Sequence, residues 1–124
     1  MSYGRDRVVI PVTIASGTSL SGEVNVNDLR IVGIQMPAGW DAAGIAFKAL
    51  VRESGNPAVP VFGNVQDAAG AAVGITTPAL DTYVAIAPTV ALVGLGRIQV
   101  RSGTNAAPVS QTATRVLYLV CVAV

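Results

Sequence analysis

Between Gly96 and Arg101 the side chains alternate strictly: Ile98 and Val100 are apolar, while Arg97, Gln99 and Arg101 are polar. Successive side chains of an extended strand point to opposite faces, so this pattern demands a strand with one face on a core and the other wet. The same period, or a short β-branched run, recurs along the chain, punctuated by Gly, Pro, Asn and Ser. No segment carries the i, i+3, i+4 repeat of a long amphipathic helix. Residues 68–72 are alanine-rich, but the run is short and Gly70 breaks it. The chain is therefore constrained to an all-β fold.

The pattern predicts strands over 7–14, 20–26, 29–36, 44–52, 59–65, 72–76, 82–87, 96–101 and 115–124. Residues 90–95 stay ambiguous, because Gly94 sits inside an apolar run. Pro60 and Gly63 mark 59–65 as an edge strand, since proline cannot donate to a ladder. The last strand is apolar on both faces and so belongs in the middle of a sheet or under a partner. Eight to ten short strands with turns between them predict an antiparallel β-sandwich, jelly-roll-like in form. At 124 residues the expectation is one domain over 1–124, with 1–6 as a flexible N-terminal arm.

Only 12% of the residues are charged, against about 25% in an ordinary soluble domain, and 52% are hydrophobic. Such a chain buries an unusual share of its surface or lends it to partners, which favours a homo-oligomer or assembly subunit. Eight basic and seven acidic residues give a net charge of +1, scattered without a run of one sign. A nucleic-acid partner is not indicated, because no basic patch exists to displace counterions. All the basic residues but Lys48 are arginines, whose forked guanidinium suits interfaces; a compositional bias of the source genome explains the same fact. Cys121 has no intrachain partner and lies in an apolar run, as a buried small hydrophobe would. The apolar run after Arg7 is too short and β-branched, and its basic flank too interrupted by Asp6, for a signal peptide. The apolar C-terminal run falls well short of the ~20 residues that span a bilayer.

Catalytic equipment is sparse. The chain has no histidine, which removes His-dependent triads and dyads. Ile45 stands three residues before Lys48, so no S-x-x-K pair forms there. No Cys/His cluster of zinc-ligand spacing exists, and Gly94-Leu95-Gly96 lacks the third glycine and the strand–helix context of a phosphate loop. Convergence of Asp41, Glu53, Asp67 and Asp81 would be needed for a carboxylate-pair hydrolase, yet each sits at or near a turn, where Asp caps backbone amides. Glu23, Asn25, Asn27 and Asp28 offer oxygen ligands in one stretch, without calcium-loop spacing, and read first as a turn. No catalytic residue, metal site or cofactor site is assigned. The candidate contact is the turn Pro37-Ala38-Gly39-Trp40-Asp41. Within it Pro37, Trp40 and Asp41 can grip a neighbouring subunit, or Trp40 can plug the sandwich end. Stacking of Trp40 on a host-surface glycan is the alternative. Tyr83, Tyr118 and Tyr3 read as core-edge, sheet-surface and tail residues.

Three ordered blocks add a resemblance. They are I-x-S-G-T-S-L-S-G (Ile14 to Gly22), I-V-G-I-Q-M-P-A-G-W-D-A-A-G-I-A-F (Ile31 to Phe47) and I-Q-V-R-S-G-T (Ile98 to Thr104), with Gln111 and Arg115 downstream. In these blocks the chain resembles small structural proteins of tailed bacteriophages and phage-derived particles. The resemblance implies a virion component assembled in the host bacterial cytoplasm, with other virion proteins such as the capsid protein as partners. Capsid decoration, the base of a head spike or fibre, and neck or tail attachment are all compatible with it. It brings no catalytic residues.

Overall fold

The computed structural model describes residues 7–52, 61–71, 73–76, 78–86 and 92–124. The expected arm at 1–6 lies outside them, as do Tyr3, Glu53 and Pro60. Nine strands and no helix occur among the described residues: β1 Arg7–Ile14, β2 Val24–Asn25, β3 Leu29–Gln35, β4 Ile45–Arg52, β5 Val61–Asn64, β6 Gly74–Ile75, β7 Tyr83–Ala85, β8 Arg97–Ser102 and β9 Arg115–Ala123. They form two antiparallel sheets. One has the order β1-β9-β3-β7; the other runs β2-β8-β4-β5, with β6 also pairing with β4. The fold is all-β, and β9 is central, between β1 and β3, as its two apolar faces require. β5 lies at the end of its sheet, as the broken run 59–65 implies.

Alternation decides what lies between the sheets. Val12 and Ile14 of β1, Leu117, Leu119 and Cys121 of β9, Ile45 and Phe47 of β4, and Ile98 and Val100 of β8 are buried in one apolar cluster. β3 breaks strict alternation, since Ile31 and Ile34 are both buried although three residues apart. A register shift between Ile31 and Gly33 in the β3–β9 ladder accounts for this. The extra residue, Val32, resets the parity and returns Ile34 to the core beside Leu119.

The segment 20–26 is less regular than its apolar content suggests, with only Val24–Asn25 forming a strand. The cause is Ser21, whose amide donates to the Val100 carbonyl at 2.9 Å. Its hydroxyl accepts from the Val100 amide, also at 2.9 Å. A side-chain oxygen thus stands where a strand would present a carbonyl, so the segment follows β8 without regular pairing. Within 90–95, Leu92 is buried, Val93 bridges to Arg30, and Gly94 turns the chain at a φ of 72°. Residues 87–91, which include the end of the strand expected over 82–87, are outside the described set.

Candidate functional site

Four segments far apart in sequence meet at the end of the sandwich where β3 passes towards β4. The turn leaving β3 carries Pro37, whose carbonyl accepts from the Asp81 amide at 2.9 Å. Trp40 is folded inward, 7% exposed and part of the apolar core. Its indole N–H donates to the Ala43 carbonyl at 3.0 Å, so the ring is fixed as a plug closing this end. A buried indole presents no face on which a sugar could stack.

Asp41 is held from several sides. Arg115 Nη2 donates to its Oδ1 at 2.7 Å, Thr112 Oγ1 to the same oxygen at 3.0 Å, and the Thr112 amide to Oδ2 at 2.9 Å. The Arg115 hydrogen bond is the largest influence on the Asp41 carboxyl and holds it below the usual carboxylate range. Burial opposes it by a lesser amount, and the two Thr112 hydrogen bonds add to the lowering. The guanidinium lies across Gly39, where an added Cβ would stand 2.5 Å from Arg115 Nη1. A side chain at 39 would therefore have to displace the guanidinium from its place against Asp41.

Gln111 ties the knot and is fully buried. Its Oε1 accepts from the Asp41 amide at 2.8 Å and from Arg115 Nε at 3.2 Å. Its Nε2 donates to the Asp41 carbonyl at 3.2 Å and to Ser102 Oγ at 2.7 Å. The Gln111 main chain pairs with Gly17 and Thr18, and the Ser102 amide donates to the Ser19 carbonyl. Both S-G-T turns, the P-A-G-W-D turn, Gln111 and Arg115 therefore converge on one hydrogen-bonded cluster. No buried side-chain polar atom among the described residues lacks a partner.

A cluster so fully bonded holds loops in place and offers little chemistry. Asp41 is kept ionised by its partners, and the Ser102 hydroxyl is buried beside an amide with no base among its bonded partners. The other carboxylates serve elsewhere. Asp67 Oδ1 accepts from the Ala69 and Ala71 amides and closes its own turn. Glu23 pairs with Arg97 at 3.0 Å, Asn25 Oδ1 accepts from the Asn27 amide, and Asp28 takes a φ of 57°. Among the described residues no group of three or more His, Cys, Asp or Glu side chains could hold a metal ion. Burial pushes the Cys121 thiol up to about 11, as expected of a core residue.

Sequence reasoning placed Pro37, Trp40 and Asp41 together but missed what they are bonded to. The one signal was the place of Gln111 and Arg115 downstream of the three ordered blocks. Searches of family models, curated proteins and solved structures each found no match to this chain.

The other surface of interest is the outward face of the β1-β9-β3-β7 sheet. Its cross-strand rows are Val9–Val120–Gly33–Ala85 and Pro11–Tyr118–Gln35–Tyr83. Val9 is 53% exposed, Tyr118 43% and Tyr83 42%. Val120 is buried yet lies outside the inter-sheet cluster, because its neighbours on this outer face cover it. The Tyr83 ring lies over Gly33, where any side chain would collide with it.

Proposed function

We propose that this chain is a non-enzymatic structural component of a tailed-phage virion: a symmetric, self-associating subunit that decorates the capsid or forms the base of a head spike or fibre. The observation that carries the reading is the apolar outer face of the β1-β9-β3-β7 sheet, with Val9, Tyr118 and Tyr83 open to solvent. A half-solvated antiparallel sheet ordinarily presents polar residues outward, and apolar side chains gathered there mark an interaction surface. The resemblance of the three sequence blocks to phage structural proteins supports the setting. Strand order supports a jelly-roll form of the sandwich. Leaving aside the two-residue β6, every consecutive strand crosses to the other sheet except β4 and β5, which pair within one sheet; this is the arrangement of two Greek keys that capsid and lectin domains use. Fold likeness alone does not carry function, so the reading rests on the surface.

The mechanism is geometric. The Asp41–Gln111–Arg115 cluster fixes the loops at one end, the paired sheets give a rigid body, and the apolar face supplies contacts. Individually weak contacts become firm when many copies sit on one particle. The test is immunogold labelling of purified particles with antibody raised against the recombinant chain. Labels at a regular set of positions on head, neck or tail are expected. Unlabelled intact particles from cells that express the chain would refute the proposal.

A further inference from the structure

We infer that the outer face of the β1-β9-β3-β7 sheet is the contact between two copies of this chain, packed face to face about a two-fold axis. This rests on the reading of the protein as a self-associating subunit and adds which surface does it and in what orientation. The face is bipolar. At one end lies the row Arg7–Val122–Arg30, which is basic. At the other end, two residues before β7, stands the exposed Asp81, held to Pro37 by its amide. The rows between them, with Val9, Val120, Tyr118 and Tyr83, are mainly apolar.

A two-fold axis lying in the plane of the contact and running across the strands reverses strand direction between the copies. It brings the arginine end of each copy over the Asp81 end of the other, twice, with the apolar rows at the centre. The face is thus complementary to itself in charge as well as in hydrophobicity, the requirement of an isologous contact. Arg30 already has an interaction within its own protomer, so the complementarity is one of field and not of a vacant group. Face-to-face packing is favoured over pairing along the edge of the sheet, because Pro11 interrupts the edge strand β1, a device that keeps such edges from adding strands.

Size sets the strength. Four strands spaced by about 4.8 Å and averaging about six residues at about 3.4 Å, with β7 the shortest, give a footprint of roughly 400 Å². With side-chain relief, two such faces bury about 1,000 Å² in total, at the lower limit for specific association. The expected dimer is reversible, with a dissociation constant on the order of micromolar.

Sedimentation velocity on the wild type and on the exposed-site variants Tyr118→Glu, Val9→Lys and Asp81→Asn tests this. Asparagine tolerates the positive φ of 50° at position 81, so that variant removes charge without strain. The wild type should dimerise. Tyr118→Glu and Val9→Lys should each weaken the dimer by about tenfold or more with unchanged melting temperature. Asp81→Asn should weaken it about threefold and flatten its salt dependence. Should Tyr118→Glu fold normally and dimerise like the wild type, self-association stands but uses another surface, and this inference falls. A wild type that stays monomeric at all concentrations overturns the inference and the self-association beneath it. Glycan binding by such a monomer, lost in Tyr118→Glu, would assign the face to a sugar instead.

Discussion

Replacing Gln111 with leucine should cost more stability than any surface change to the loops it joins. The two side chains are close in volume, so the loss isolates hydrogen bonding from packing. The substitution removes four bonds at once: two that Oε1 accepts, from the Asp41 amide and Arg115 Nε, and two that Nε2 donates, to the Asp41 carbonyl and Ser102 Oγ. Arg115 Nε is near enough to solvent to find water. The Ser102 hydroxyl is buried, and the Asp41 amide and carbonyl are part-buried. A buried group left unpaired costs about 1–3 kcal/mol; because two of the three are only part-buried, the total should fall towards the low end of the sum, roughly 3–5 kcal/mol. For a domain of this size that corresponds to a drop of about 10–20 °C in melting temperature. Urea and thermal unfolding followed by far-UV circular dichroism measure it. A loss below about 1 kcal/mol would mean the cluster does not hold these loops, and the account of this end of the sandwich would be wrong.

Three further outcomes are expected. The Asp41 carboxyl sits below its ordinary value of 3.8 when folded, so its contribution is complete above that value and is lost as the pH falls through the lower folded one; Asp41→Asn should flatten the acid limb of stability below about pH 4, and an unchanged limb in acid titration would contradict this. Trp40, the only tryptophan, should emit at short wavelength and resist acrylamide quenching until unfolding; a red, readily quenched emission from the native protein would place the ring outside the core. The Cys121 thiol, buried and raised to about 11, should react with a disulfide reagent at neutral pH only after denaturation, and prompt labelling of the native protein would refute its placement.

How far the fold could be read in advance follows from where its causes lie. β1, β4, β8 and β9 are visible in sequence because their cause is local: a period of two set by one buried face, as in Ile98 and Val100, or two apolar faces in a central strand. The β3 bulge is not legible, because the spacing of Ile31 and Ile34 makes sense only once β9 lies alongside. The shortening of β2 depends on Ser21 bonding to Val100, a partner 79 residues away. The same holds for the site. Trp40 and Asp41 stand out in sequence as a turn with a rare aromatic, but the inward fold of the indole depends on the core beneath it. The bonds from Asp41 to Gln111 and Arg115 span 70 and 74 residues and exist only because β3 and β9 are neighbours. The outer apolar face is half legible: the apolar last strand was open to a central place or a covering partner, and pairing with β1 and β3 gives it the first while leaving Tyr118 exposed for the second.

The chain is proposed to work by associating with copies of itself through an apolar sheet face. The most direct measurement is the solution mass of the purified wild type by light scattering, from high micromolar to nanomolar concentration. A mass that rises reversibly with concentration from one chain to at least two is expected. A mass of one chain across the whole series would contradict the account.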